Sequence, residues 1–233
     1  MGGPLSEGEL AAYRRHGFVR LSEAFPRALA LRCRDLLWDE IEETRDDPAT
    51  WSRPVVRIHA HTAPELSEAA ASARWRAAIH QVAGPHAAPT PWMGGTTAVR
   101  FPVEGDPGDD GWHVDGSYVG PDGRYWLNHR SRDRALLMLV LFSDVGPDDA
   151  PTRIRVGSHR DVRGALVAFG EQGVASMDFL PPPAVHGRPL ALATGSAGDV
   201  YLCHPFLVHA AQRHRGTEPR FLAQPGVPWS DQS

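Results

Sequence analysis

The chain has 233 residues and a formal net charge of −4, with 42% hydrophobic and 22% charged residues. Such a chain is long enough to bury a substantial core without disulfides or a structural metal. Its charge gives no electrostatic reason to expect nucleic acid or an anionic membrane as partner. Arginine greatly outnumbers lysine, which reads as a compositional bias before it reads as function. Cys33 and Cys203 are the only cysteines and form no CxxC spacing, which speaks against a zinc ribbon or thioredoxin-type site and for a reduced, cytoplasmic setting. The start carries no basic segment ahead of an apolar core, so no signal peptide is expected. The longest apolar run, "ALLMLVLF" (135–142), is too short to span a bilayer. One domain over residues 1–233 is expected, with no boundary visible.

The first fifty residues read as the helical part of that domain. Ser6 with Glu9 has the capping-box spacing, and "LAAYRRHG" then ends at Gly17. "FVRL" (18–21) is a short strand. Pro26 suits the first turn of a longer helix, "RALALRCRDLLWDEIEETR" (27–45), which "DDPATW" breaks. "ARWRAAIHQVAG" (73–84) predicts one more short helix. Beyond it the pattern changes to short apolar runs divided by Gly, Pro and Asp: "TTAVRF", "ALLMLVLF", "TRIRV", "DVYLCH", "FLVHAA" and "RFLAQ". Strands of that kind point to a β sandwich or barrel, and the continuous run at 135–142 to a strand buried on both faces. Residues 120–134 and 169–189 read as long connections, either lids over a site or plain surface excursions.

"GWHVDGSY" (111–118) raises the first chemical question. On an extended segment His113 and Asp115 point the same way and Val114 the other. Asp-Gly is also a strong turn dipeptide, so the pair alone is equally a turn or half of a metal site. A second pair, His159 and Asp161 in "GSHRDV", reads as a turn histidine and a cap for the segment that follows. A third ligand for the first pair has to come from elsewhere, and His209, at the end of the apolar run "FLVH", is the best candidate, although by itself it reads more readily as a satisfied strand histidine. Two histidines and a carboxylate form the facial triad of non-haem Fe(II) oxygenases, which leaves coordination positions for a chelating cosubstrate and dioxygen. A dicarboxylate cosubstrate also needs a fixed cation, and a bidentate arginine suits it. Arg220 opens the strand-like "RFLAQ", whereas Arg213 and Arg215 fall in a polar turn and read as solvated. Arg100, on the strand before the motif, faces either the cavity or the surface. Trp112, Tyr118, Tyr125 and Trp126 flank the motif as either a wall for a ring-bearing substrate or core. The run "HRSRDR" (129–134) reads as a solvated loop.

Taken together, "WHVDG", "DDAPTRIRVGSH", "HPFLVHAAQRHRGTEPRF" and the opening "LAAYRRHGFVRL" resemble the phytanoyl-CoA dioxygenase-like Fe(II)/2-oxoglutarate oxygenases, from about residue 5 to about residue 225. The resemblance implies a mainly-β (α+β) protein with a double-stranded β-helix core, a cupin-like jelly roll with N-terminal helices packed on one side. It implies that His113, Asp115 and His209 bind iron, that Arg220 binds the distal carboxylate of 2-oxoglutarate, and that Thr152 makes a polar contact to that cosubstrate. His159 is not a ligand on this reading, and Arg100, Trp112, Tyr118 and Trp126 are assigned to the substrate. The implied cofactors are Fe(II), 2-oxoglutarate and O2, with ascorbate as an activator in vitro. The implied reaction oxidises an unactivated C–H bond of a small molecule, by hydroxylation or oxidative ring closure, with release of succinate and CO2. The family includes many enzymes of secondary metabolism, some acting on sugar-containing antibiotics. Asp115 disfavours halogenation, because the family's halogenases carry a small residue there. Ala210 and Ala211 stand where many members have Gly-Ser, so a hydroxyl contact to the cosubstrate is missing or supplied elsewhere. A monomer or small homo-oligomer is expected. Two rivals stand beside this reading: a cupin-like metal enzyme that does not use 2-oxoglutarate, against which Arg220 argues, and a non-catalytic binding domain on the same fold, against which the intact ligand set argues.

Overall fold

The structure, a computed structural model, describes residues 2–91 and 93–230. Ser6 starts α1 (Glu7–His16) with both halves of the capping box: its hydroxyl accepts from the Glu9 N–H at 3.3 Å, and its own N–H donates to the Glu9 carboxylate at 2.7 Å. Gly17 ends the helix in the left-handed region, φ 86°, where a side chain would be strained. There follow β1 (Phe18–Leu21), α2 (Arg27–Trp38), β2 (Val55–His61), α3 (Pro64–Ala70), α4 (Ala73–Ala83) and β3 (Met93–Arg100). The second half holds β4 (Tyr118–Val119), β5 (Tyr125–Leu127), β6 (Leu136–Leu141), β7 (Arg153–Arg155), α5 (His159–Leu166), β8 (Val174–Ala175), β9 (Leu190–Leu192), β10 (Val200–Cys203), β11 (His209–Ala210), β12 (Arg220–Gln224) and β13 (Gly226–Val227).

The strands form an antiparallel jelly roll. The larger sheet runs β1-β10-β6-β12-β3-β2, with β13 also on β6; the smaller sheet opposite runs β11-β7-β9. A third, β4-β5-β8, lies beside them. β6 explains why two layers can share one sheet. Its alternate residues Leu136, Met138 and Val140 pack on the helix side with Leu29, Leu37 and Ile79, while Leu137, Leu139 and Leu141 pack between the sheets with Ile154, Tyr201 and Leu222. The continuous apolar run is thus a strand buried on both faces, as its composition predicts.

Several boundaries differ from the sequence reading. α2 stops at Trp38 and does not reach Arg45; the next three N–H groups reach back only three residues, in tight turns. Trp38 is seated on Phe221 (5.0 Å between rings) and Phe101 (5.9 Å). From there the chain coils back, so that Arg45 lies over the Trp38 ring at 5.7 Å and buried Glu43 pairs with Arg53 at 2.7 Å. "VVRIHAH" forms β2, which the apolar-run criterion passed over because its alternate residues are polar. "GSHRDV" opens helix α5: Ser158 occupies the cap position, and Asp161 pairs with Arg188 at 2.8 Å instead of capping. The two long connections are not bare, since they carry β5 and β8.

Both cysteines are buried and unpaired. Burial pushes the Cys33 thiol up to about 12, and burial with the nearby Asp115 charge raises Cys203 further. Because the thiolate is the reactive form, the folded protein is expected to give no reaction with an aromatic disulfide reagent at pH 8 and two equivalents after denaturation. Rapid reaction of either thiol in the folded state would contradict this burial. No helix among the described residues is long and apolar enough to cross a membrane.

Candidate active site

His113 and His209 are joined through their backbones. The His113 N–H donates to the His209 carbonyl at 3.0 Å, and the His209 N–H returns the bond at 3.1 Å. β11 is paired on its other side with β7, His209 opposite Ile154, so His209 is held from both edges. Val114 points into an apolar cluster with Leu127, Phe206 and Val208. The alternation of extended chain therefore turns His113 and Asp115 to the opposite side, toward His209. The two imidazole rings lie 4.5 Å apart. Asp115 Oδ1 is 3.6 Å from His113 Nε2 and 3.8 Å from His209 Nε2, and one ligand atom from each residue falls within 4.8 Å of the others.

The tautomers follow from the backbone. His113 Nδ1 lies 2.8 Å from the Gly111 carbonyl and His209 Nδ1 3.0 Å from the Leu207 carbonyl. A carbonyl can only accept, so each Nδ1 carries the proton and each Nε2 presents a lone pair to the common centre. His209 Nε2 is buried with no hydrogen-bond partner, a costly state unless something binds there. Burial pushes the His209 imidazolium below its ordinary range and so keeps the ring neutral. Burial alone would raise Asp115, but His209, Arg134 and His113 outweigh it and hold the carboxyl below its usual value. Two imidazole Nε2 atoms turned to a common centre and an ionised carboxylate are the donors a divalent transition metal takes, so the residues present fit an iron ion.

Gly116 ends the ligand-bearing segment by close approach. A Cβ there would lie 2.7 Å from Tyr125 Cβ and 2.9 Å from its backbone carbon, where the Ser117 N–H donates to the Trp126 carbonyl at 2.6 Å. Gly116→Ala is accordingly expected to push β5 away and cost about 1–3 kcal/mol. A thermal midpoint equal to that of the wild type would refute the need for this contact.

β12 and β3 form the floor on one side of the triad. Alternation sends Phe221 and Ala223 into the helix-side core and Arg220, Leu222 and Gln224 to the site face, in register with Arg100, Ala98 and Thr96. A cavity of about 190 Å³ there reaches His113, Thr152, His209, Arg100 and Arg220. Arg220 is 2% exposed and donates to the Ala150 carbonyl at 2.6 Å, with its Nε unpartnered. Burial, then the neighbouring Arg100 charge, push Arg220 down to about 9 against the pull of Asp109, which leaves it cationic at neutral pH. Thr152 is buried in the same wall. Arg100, assigned to the substrate on sequence grounds, lies instead in this inner cavity, because its register partner is Arg220. Arg213 and Arg215 are exposed, and Arg213 pairs with Glu104.

A second, more open cavity of about 450 Å³ adjoins the other side of the triad, with Thr96, Tyr125, Arg134 and Met177 in its wall beside His113 and Asp115. Three of the residues assigned to the substrate are not in that wall. The Arg153 and Arg155 guanidiniums both lie over the Trp112 ring, at 4.9 and 4.3 Å. Tyr118 is buried, its hydroxyl donates to the Gln172 carbonyl, and Arg132 lies over its ring. Trp126 donates to Asp122 at 2.8 Å; it neighbours Tyr125 on β5, so when Tyr125 faces the cavity Trp126 must face away. The "HRSRDR" run is solvated only in part. Arg134 turns inward, 3.7 Å from Asp115 Oδ2, on a turn tied by the Ser131 hydroxyl donating to its carbonyl at 2.7 Å. His159 is buried against His204, 4.9 Å between rings, and is not part of the triad cluster. The sequence reading missed Gln224, Arg134 and Asp109. The two-residue period of "RFLAQ" would have placed Gln224 beside Arg220, whereas the other two sit in loops with no period to read.

The family model described as phytanoyl-CoA dioxygenase (PhyH) matches residues 13–222, from within α1 to within β12. The comparison with curated proteins found no match. Among solved structures the chain is similar to SnoN, a non-heme alpha-ketoglutarate-dependent epimerase from nogalamycin biosynthesis, in its complex with Fe3+, alpha-ketoglutarate and nogalamycin RO: TM-score 0.66 and 19% identity, over 96% of this chain and 83% of that one. It is similar to HygX from Streptomyces hygroscopicus with nickel, 2-oxoglutarate and hygromycin B bound (TM-score 0.60, 17% identity, 98% and 88% covered). It is also similar to EctD from S. alaskensis with bound Fe (TM-score 0.64, 19% identity, 98% and 78% covered). At those identities the likeness speaks for the shared jelly roll, while the family match spans the triad, Thr152 and Arg220. The chain belongs to the phytanoyl-CoA dioxygenase (PhyH) family and is an Fe(II)/2-oxoglutarate-dependent oxygenase that uses O2.

Proposed function

We propose that His113, Asp115 and His209 hold the iron, that Arg220 and Thr152 seat 2-oxoglutarate in the inner cavity, and that the open cavity admits a small molecule whose unactivated C–H bond is oxidised. The carrying observation is that two cavities of different character meet at one triad. The inner one is narrow and cationic, and the outer one is open and within the size range of small-molecule sites. With iron and 2-oxoglutarate bound, O2 would be the oxidant: one of its oxygen atoms would go into succinate as the cosubstrate loses CO2, and the other would take up the two electrons of the C–H bond and end in an alcohol or in water. The protein's own part is positional. Arg220 fixes the distal end of the cosubstrate, the backbone carbonyls of Gly111 and Leu207 hold both histidines in the ligating tautomer, and the wall of the open cavity sets which C–H bond comes close. The product is an alcohol or a new ring, and the setting is secondary metabolism on a natural product, sugar-containing as in the family's antibiotic-modifying members. SnoN and HygX, crystallised with nogalamycin RO and hygromycin B, support that choice. The two buried, unpaired thiols fit a cytoplasmic setting, and the proposed enzyme acts as a monomer or small homo-oligomer.

The test mixes purified protein with Fe(II), ascorbate, 2-oxoglutarate and O2 and measures succinate, alongside thermal stabilisation by 2-oxoglutarate with metal present. Slow uncoupled succinate release and added stabilisation are expected, with faster release when a natural-product panel includes the substrate. Stabilisation by metal alone, with no succinate and no response to 2-oxoglutarate, would favour a cupin-like metal enzyme of other chemistry.

A further inference from the structure

The inner cavity holds more charge than one dicarboxylate-binding arginine requires. Arg100 and Arg220 are directly opposite each other across β3 and β12, and they are 3% and 2% exposed. Two like charges side by side and out of water are unfavourable without an anion between them. Asp109 supplies that anion in part. Arg100 Nη2 donates to Asp109 Oδ2 at 2.5 Å, and Arg57, also in the cavity wall, pairs with the same oxygen. The cluster is still under-satisfied. Asp109 Oδ1 is buried without a partner, and so are the Nε groups of both Arg100 and Arg220. Three guanidiniums facing one carboxylate leave a surplus of positive charge in a cavity that opens on the triad.

We infer that Arg100 is a second guanidinium for the distal carboxylate of 2-oxoglutarate, and that Asp109 is an internal stand-in for that carboxylate, holding Arg100 until the cosubstrate takes it. This rests on the reading of Arg220 as the cosubstrate arginine. The incoming carboxylate brings the missing negative charge to both buried guanidiniums. Asp109 repels it and competes for Arg100, but retains Arg57 when displaced. The ion pair thus keeps the empty pocket folded at the cost of cosubstrate affinity.

Calorimetric titration of the nickel(II)-loaded protein with 2-oxoglutarate tests this without turnover. Charge-assisted hydrogen bonds being the strong ones, Arg100→Gln is expected to weaken binding about tenfold. Asp109→Asn is expected to tighten it about threefold to tenfold, because it removes the competitor and keeps the shape. Arg100→Gln combined with Asp109→Asn exchanges the ion pair for neutral amides and guards against a misfolded single variant; its affinity falls between those of the two singles. With 2-oxobutanoate, which has the chelating end but no distal carboxylate, all three variants stay within about twofold of the wild type. Unchanged 2-oxoglutarate affinity in both single variants, or weakening by Asp109→Asn, would overturn the inference. So would equal losses for the two ligands, which mark a purely structural role. A wild-type protein that binds metal but no 2-oxoglutarate would overturn the functional reading itself.

Discussion

Asp115→Ala abolishes succinate formation: turnover is expected to fall at least about a thousandfold, since loss of groups that merely orient ligands already costs 10–100-fold. Asp115 is the one carboxylate of the triad, and its Oδ1 lies within 4 Å of both histidine Nε2 atoms. Without it only two imidazoles remain, and a divalent ion loses both a donor and its charge compensation. The scaffold is expected to survive. The side chain is 31% exposed, and the backbone bridge between His113 and His209 does not involve it. Far-UV circular dichroism is therefore unchanged, while Fe(II) no longer raises the thermal midpoint. Retention of a tenth or more of the wild-type turnover would remove Asp115 from the ligand set.

Arg220→Gln separates cosubstrate binding from chemistry. KM for 2-oxoglutarate is expected to rise about 100-fold, the worth of one buried charge-assisted contact, with kcat changed by only a few-fold at saturating cosubstrate. The asymmetry follows from position: Arg220 is on the floor of the inner cavity with Thr152 and makes no contact with Asp115 that would alter the metal's ligands. Stability should suffer less than for most buried cations. The substitution relieves repulsion from Arg100. Steady-state kinetics over a range of 2-oxoglutarate concentrations decides it. A variant with unchanged KM and a collapsed kcat would place Arg220 in another role.

Local rules made part of this protein legible. The capping box at Ser6 and Glu9, the stop at Gly17, the two-faced strand at 136–141 and the strand "RFLAQ" all depend on neighbours a few residues apart, and each forms as that chemistry dictates. The pairing of His113 with Asp115 on one face needed only the period of extended chain. Where α2 ends was not legible, because Trp38 stops the helix by docking on Phe101 and Phe221, distant in sequence. β2 escaped notice because its alternate residues are polar, including Arg57, which faces the inner cavity.

Sequence alone determined the fold class, the chemistry class and four residues that the fold gathers about one centre, because residue type, two-residue period and family motif are carried by the chain itself. The tertiary structure decided the rest. The register of β12 on β3 put Arg100 beside Arg220 in the inner cavity and not in the open one. The alternation along β5 put Tyr125 on the open cavity and turned Trp126 away. Loop closure brought Arg134 inward from a run that read as solvated, and Asp109 inward from a loop with no period to read. Each is a relation between segments far apart in the chain, set by which strand hydrogen-bonds to which, and no local pattern encodes it.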